Sequence, residues 1–194
     1  MHKLLLLSSA LAASLAVPAA AQAQAIPGAV IAVVDLEKVQ SECNACKTAQ
    51  AALRSQATAE ETREKGLVGP LQTEQKSIQT AVDALKGKDP DAALQSRIQA
   101  FQTKYQQAQE DAARGRQQLQ RNQAYIAQQI QAKLNPIYQQ VMQRRGANIM
   151  VETGATLATS TSVDVTNDVL TALNTALPTV QTTAPVQQQK PQGR

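Results

Sequence analysis

Two cysteines stand at a spacing that permits thiol chemistry, in the segment Cys43-Asn44-Ala45-Cys46. Such a pair can cycle between dithiol and disulfide, form a structural disulfide, or supply two thiolates to a metal. A redox pair belongs at a helix start after a strand in a thioredoxin-like unit, whereas these cysteines lie within a predicted coiled-coil arm. A metal site lacks further ligands, because the only histidine is His2. Redox catalysis, a local or intersubunit disulfide, and free thiols that pack as small residues remain the alternatives.

The chain around this pair, from Leu36 to Arg145, repeats seam-type residues at steps of four and three, which alternate from Val39 to Ile78 and from Leu94 to Leu119. The positions are Val39, Cys43, Cys46, Gln50, Leu53, Ala57, Glu60, Glu64, Leu67, Leu71, Glu74, Ile78, Val82, Leu85, then Leu94, Ile98, Phe101, Tyr105, Ala108, Ala112, Gly115, Leu119, Ile126, Ile130, Leu134, Ile137 and Val141. A period near 3.5 places them on one stripe of a helix, as in a coiled-coil seam. We therefore predict two long helices.

The corner between the two helices is predicted at residues 87–90, Gly-Lys-Asp-Pro. Gly87 can take the left-handed conformation that ends a helix, and Pro90 can occupy the first turn of the next one. Asp89 is then the expected N-cap. Counted outward from this tip, the arms have equal length, and each spans roughly 75 Å at 1.5 Å per residue.

Helix-breaking residues interrupt both arms. Gly66, Gly69 and Pro70 fall inside the first arm, where the proline lacks an N–H and its ring crowds a preceding carbonyl. They predict a hinge at mid-arm, and Pro136 marks the base of the second arm. Because the seam is poor in large apolar residues, the hairpin at 36–145 should need an anchor.

The anchor is predicted from residues 26–35 and 146–177, which flank the hairpin. A β-branched apolar run at 29–34 predicts a buried strand, and 146–153 predicts another. Residues 155–159 predict a second strand or extended segment, and 163–174 predict a helix. So few strands cannot bury enough area alone, which indicates an α+β fold whose small β body is completed by oligomerisation. The candidate association residues are Ile31, Val33, Val34, Ile149 and Val151.

Both ends of the chain differ in composition from the rest. Residues 1–25 have a basic start, an apolar core and a small-residue end, which predicts a signal peptide cleaved after Ala25 or Ala23. The alternative is an uncleaved membrane anchor. Residues 178–194 are rich in Gln, Pro and Thr and predict a disordered tail.

Charge gives a limited indication of partners. The chain carries a formal net charge of +4, and the basic excess lies on the second arm. Candidate contacts for an acidic client or an anionic membrane surface are Arg97, Lys104, Arg114, Arg116 and Arg121. Alternatively, these are solvated helix faces. With 2% aromatic residues and no recognition motif, nucleic acid is not expected as a partner. No catalytic or phosphate-binding motif is present, so we expect neither an enzyme nor a cofactor.

Four segments resemble a known family in their order and spacing around a hairpin of this length. They are Ile31-Ala32-Val33-Val34-Asp35-Leu36-Glu37-Lys38-Val39, Leu134-Asn135-Pro136-Ile137, Ile149-Met150-Val151-Glu152 and Val163-Asp164-Val165-Thr166-Asn167-Asp168-Val169. With these segments, the chain from Ile31 to about Asn174 resembles the OmpH/Skp family of periplasmic chaperones, also called the seventeen-kilodalton protein family.

The resemblance implies a homotrimer in which strands of all copies build one β body and three helical arms surround a cavity. It also implies a periplasmic, ATP-independent holdase for unfolded outer-membrane β-barrel proteins. Family members often carry strongly basic arm tips, whereas this corner pairs Lys86 and Lys88 with Asp89 and Asp91, so no lipid site is assigned there. The rival hypothesis is a structural or adaptor coiled coil of the cell envelope, which would not need paired strands on both sides of its hairpin.

Overall fold

A computed structural model describes residues 27–185 of the chain. Within this range, two strands and four helices follow one another along the sequence. They are β1 (Ile31–Val34), α1 (Leu36–Glu42), α2 (Asn44–Ala84), α3 (Ala92–Arg145), β2 (Ile149–Glu152) and α4 (Thr166–Ala176). The predicted signal peptide at 1–25 and tail residues 186–194 lie outside the described residues.

Helices α2 and α3 form the long hairpin that the seam period predicts. They contain 41 and 54 residues, and so they extend about 60 and 80 Å at 1.5 Å per residue. The predicted equal arms are therefore wrong. The first arm is shortened because Cys43 leaves helical conformation (φ −58°, ψ 129°) and separates α1 from α2.

The corner lies where the sequence predicts it, but its cap is different. Lys86 and Gly87 both have positive φ, 50° and 87°, and they end the first arm. The N-cap of α3 is Asp91 rather than Asp89, and its Oδ1 accepts the Leu94 N–H at 2.8 Å. Helix α3 therefore begins at Ala92, two residues later than a cap at Asp89 would place it.

The two strands form a parallel pair with Ile31 opposite Ile149 and Val34 opposite Glu152. Parallel strands need a long crossover connection, and here the whole hairpin is that connection. On its other side β1 bridges to Asp164 through Val33. Of the predicted segment at 155–159, Ala155 ends a 3₁₀ turn (Thr153–Ala155) and the rest has no strand pairing, so only the extended alternative is compatible with the structure.

The apolar core lies at the base of the hairpin, where α1, α3, α4 and β1 meet. Its members are Ala32, Val34, Val39, Cys43, Ala45, Cys46, Leu134, Ile137, Val141, Val165, Val169, Leu173 and Leu177. By contrast, residues 50–111 contain no buried side chain, and the seam positions there are half-buried at best. The base anchors the arms, as the poor seam predicts.

The first part of the predicted disordered tail is ordered. Residues 178–185 run in non-helical conformation along the base half of the hairpin and hydrogen-bond to side chains of α2 and α3. The prediction fails here because Leu177 is buried, Val180 packs on the core, and distant amide side chains pair with the backbone. Composition alone carries no information about such partners.

Candidate functional site

The cysteine pair lies at a helix start, contrary to the prediction of a continuous arm. Cys43 is the N-cap of α2, and its Sγ accepts the Cys46 N–H at 3.2 Å. From α4, Asn174 Oδ1 accepts the Asn44 N–H at 2.9 Å, so a residue 130 positions away helps to start this helix. A tertiary contact thus helps to cap the helix that begins at the break.

Cys43 and Cys46 form a disulfide, and both residues are buried in the base core. Only 0% and 2% of their surfaces are exposed. Reactive thiols need access to their partners, which neither sulfur has in this arrangement. The pair is therefore suited to a structural disulfide that links α1 to α2.

Seam carboxylates pair with arginines across the hairpin. Glu74 Oε1 accepts from Arg97 Nε at 2.7 Å, and Glu64 Oε1 accepts from Arg116 Nη1 at 2.9 Å. The hydrogen bond from Arg97 lowers the pKa of Glu74 below its usual value. These pairs explain why acidic residues occupy seam positions. They also engage two of the basic residues that the sequence offers as client or lipid contacts.

The remaining basic candidates differ in their surroundings. Arg114 is paired with Glu110 and Asp111 on its own helix, and Arg121 donates to Gln118. Among the described residues neither Lys104 nor Arg121 has an ion-pair partner, and Lys104 is exposed whereas Arg121 is half-buried. The structure therefore leaves Lys104 as the candidate with the freest charge.

Gly115 of α3 lies directly against the Glu60 side chain of α2. A Cβ added at Gly115 would overlap the Glu60 carboxylate, which accepts from Arg63 at 2.7 and 3.0 Å. Arg63 also donates to the carbonyl of Asp111 at 2.6 Å, so it ties α2 to α3. The hydrogen bond from Arg63 lowers the pKa of Glu60.

Outward from this contact, the two helices leave an open cleft of about 460 Å³. Its apolar lining comes from Val68, Leu71, Phe101, Tyr105 and Ala108. Phe101 and Tyr105 stack with ring centroids 6.0 Å apart, and 47% of Tyr105 is exposed. The cleft therefore presents an aromatic, partly wetted surface at mid-arm.

The predicted hinge residues lie beside this cleft. Gly66, Gly69 and Pro70 are all inside α2, which remains helical through them. A Cβ added at Gly66 or Gly69 would meet nothing within 4 Å, so packing does not require either glycine. Hinge motion itself stays a prediction.

The predicted association residues divide between two environments. Ile31 and Ile149 pair with each other and are 46% and 43% exposed, whereas Val33 and Val34 are buried within the single chain. Val151 is half-buried. One face of the small sheet thus carries apolar side chains that the single chain leaves open to water.

The family model described as outer membrane protein (OmpH-like) matches residues 30–173, which is most of the chain. The chain belongs to the OmpH-like family. This assignment confirms the resemblance drawn from the sequence.

The OmpH-like fold is also seen in a solved structure. A candidate outer membrane chaperone (OmpH-like) from Caulobacter crescentus CB15 superposes with a TM-score of 0.68 at 20% sequence identity. The match covers 86% of this chain and 96% of that chain, and it confirms the hairpin fold. No curated protein matches this OmpH-like chain.

Two features of this OmpH-like chain were not visible in its sequence. The ordered segment 178–185 and the amide side chains that hold it have a composition typical of disorder and of solvated helix faces. The one available signal was Leu177-Pro178-Thr179-Val180, which carries two apolar residues past the end of α4. Within the described range, no helix is long and apolar enough to cross a membrane.

Proposed function

We propose that this OmpH-like chain is an ATP-independent periplasmic holdase that binds unfolded outer-membrane β-barrel proteins and prevents their aggregation. The mid-arm cleft carries the proposal. It offers exposed Val68 and Tyr105 on a shallow surface between two polar helices, rather than a deep pocket shaped for one ligand. A holdase must bind many sequences weakly, and such a surface suits that task.

The proposed binding is multivalent. Each cleft would contribute a modest apolar contact, and several arms around one client would raise retention far above the affinity of one contact. Flexion at Gly66, Gly69 and Pro70 would adjust the width between arms to clients of different size. Lys104, close to the cleft residue Tyr105, is the basic residue best placed to attract an acidic client or an anionic membrane surface.

Assembly into a homotrimer completes the proposal. The sheet face with Ile31, Ile149 and Val151 would be covered by the bodies of the other copies, which would point the arms around a common cavity. The exposed fractions of the two isoleucines support an association face at the body. Residues 1–25 would direct export and then be removed.

The test uses the mature chain and a urea-denatured β-barrel protein. We expect the mature chain, added in stoichiometric amount, to suppress the light scattering that follows dilution of the barrel protein. We also expect the molar mass of the mature chain alone, measured by static light scattering, to be that of three copies. A trimer that leaves aggregation unchanged would instead support the structural or adaptor coiled coil.

A cleft variant tests the site within the same assay. Tyr105→Ser removes a large exposed contact. We expect each arm to lose about 1 kcal/mol of binding free energy, which is roughly a fivefold loss of affinity for each arm that contacts the client. Gln107→Ser changes a neighbouring exposed residue that does not line the cleft and serves as the matched control. Equal affinities for the two variants would reject the cleft as the client site.

A further inference from the structure

Hydrogen bonds from four amide side chains hold residues 178–185 against the hairpin, and all of them use backbone atoms of that segment. Gln129 Nε2 donates to the Gln181 carbonyl at 2.9 Å, while its Oε1 accepts the Gln181 N–H at 3.0 Å. Asn122 Oδ1 accepts the Ala184 N–H at 2.9 Å. We call Gln56, Gln118, Asn122 and Gln129 the amide ladder.

The remaining contacts complete a strand-like pairing. Gln118 Nε2 donates to the Ala184 carbonyl at 3.4 Å, and Gln56 Nε2 donates to the Thr182 carbonyl at 3.1 Å. When one residue exchanges both of its backbone hydrogen bonds with a single partner, the pattern is that of an antiparallel strand pair. Here the side chain of Gln129 takes the place of the neighbouring strand.

The segment also alternates as a strand does. Val180, Thr182 and Ala184 are half-buried toward the hairpin, whereas Gln181, Thr183 and Pro185 are exposed. A period of two is the side-chain period of extended chain. The half-buried side chains are small or β-branched, so little in the contact depends on their identity.

The ladder is held in place by its own hydrogen bonds. Asn122 is 3% exposed, and its Nδ2 donates to Gln56 Oε1 at 2.9 Å. Gln118 Nε2 donates to Asn122 Oδ1 at 2.7 Å, and Gln129 Nε2 also donates to the Tyr125 carbonyl at 3.1 Å. Each of the four amides therefore also has a partner within the hairpin, which restricts its orientation. Such preorganisation lowers the entropy lost on binding.

The groove continues beyond the segment. Next to Thr183, a cavity of about 420 Å³ runs past Leu119 to Gly115 and Glu60, which is toward the mid-arm cleft. A polypeptide longer than residues 178–185 can follow this path without leaving the hairpin surface.

We propose that the amide ladder is a binding site for extended polypeptide backbone of the client, and that residues 178–185 occupy it as an intramolecular competitor. The inference rests on the proposed holdase function. Unfolded β-barrel segments favour extended conformation and carry unpaired N–H and C=O groups with changing side chains. The ladder pairs with those backbone groups and is indifferent to side chains, as in the addition of a strand to a sheet edge.

Competition sets the size of the expected effect. A site that its own tail fills in nine molecules of ten binds a client about tenfold more weakly than a free site. Undocking the tail should therefore tighten client binding by up to about tenfold.

The experiment undocks the tail without touching the ladder. Gln181→Pro removes the N–H that Gln129 accepts, whereas Gln181→Ala keeps that N–H and is the matched control. The probe is a urea-denatured β-barrel protein with one fluorophore, and its anisotropy gives the dissociation constant. We expect Gln181→Pro, and a chain ending at Val180, to bind severalfold more tightly, while Gln181→Ala stays within twofold of the natural chain.

A ladder variant separates recognition from simple covering. Gln129→Ala both undocks the tail and damages the ladder, so we expect no gain in affinity, with Gln128→Ala as an exposed control on the same helix. A gain equal to that of Gln181→Pro would show that the tail only covers another surface, and it would overturn the ladder as a client site.

Two further outcomes distinguish this inference from the function on which it rests. The inference would be overturned, and the holdase function left intact, if the natural chain, Gln181→Pro and the shortened chain all captured the client with the same dissociation constant. Absence of capture by every form would reject the holdase function together with the client role of the ladder. Displacement of client from the shortened chain by a synthetic peptide of residues 178–194 would support the inference.

Discussion

The backbone N–H of Asp35 donates to Thr166 Oγ1 at 2.9 Å, although 131 residues separate the two. Asp35 caps α1 by accepting the Lys38 N–H, and Thr166 opens α4. A single hydroxyl therefore joins the strand before the hairpin to the helix after it. Thr166 is buried, with 3% of its surface exposed, so water cannot replace this bond easily.

We expect Thr166→Val to lower the free energy of unfolding by about 1–3 kcal/mol, because it leaves a sheltered N–H without its acceptor. Thr175→Val, whose hydroxyl donates within α4 at an exposed position, should cost much less. Urea unfolding followed by circular dichroism measures both. Equal losses would show that the Asp35 contact does not hold the body together.

Acid should weaken the same region. Hydrogen bonds from Thr166 to Asp164 lower the pKa of this carboxyl, largely through the threonine side chain. A lowered pKa in the folded state gives stability that is present above the unfolded value, near pH 4, and is lost as the pH falls through the folded value. We expect the melting temperature of Asp164→Asn to depend less on pH between 5 and 2 than that of the natural chain. An unchanged slope would contradict the assignment.

Pro70 offers a direct test of the hinge. Pro70→Ala restores an N–H and removes ring crowding inside α2, so we expect helix stability to rise by about 1–3 kcal/mol and client capture to fall if flexion matters. Pro136→Ala makes the same chemical change in α3 near the base and should leave capture unchanged. Stopped-flow measurement gives the rate of client capture for each variant. Equal rates for the two variants would show that bending at Pro70 has no role in client capture.

Reduction of the disulfide should affect stability more than function. Closing the short loop from Cys43 to Cys46 contributes about 2 kcal/mol by the chain-entropy relation. We expect replacement of both cysteines by serine to lower the free energy of unfolding by at least that amount, because both sites are buried. Suppression of aggregation at 25 °C should persist. Its loss in a folded variant would point to thiol chemistry in the function.

The hydrophobic period of the sequence predicted most of the fold. The step of four and three along α2 and α3 predicted the hairpin, and the β-branched run before Asp35 predicted β1, because both patterns are local. The sequence does not distinguish Asp89 from Asp91 as the cap of α3, because both are good N-cap residues two positions apart and the period does not fix a helix boundary to one residue. The break at Cys43 could not be seen, because Asn174, which helps to cap the helix that begins there, lies 130 residues away.

The candidate site was predictable only in part. The positions of Gly66, Gly69 and Pro70 are plain in the sequence, but the cleft beside them needs the register of the two helices. In the sequence, Arg97 and Arg116 have the character of free positive charges. The register places Glu74 and Glu64 within hydrogen-bonding distance of them. Side-chain pairing across a hairpin depends on small shifts in alignment, which the apolar period does not fix to one residue.

The absence of buried side chains at 50–111 has an evolutionary consequence. Where no position must fill a closed volume, a substitution removes little packing, and drift is tolerated as long as the stripe and the helix persist. A rod of this kind can keep its length and shape while its residues change.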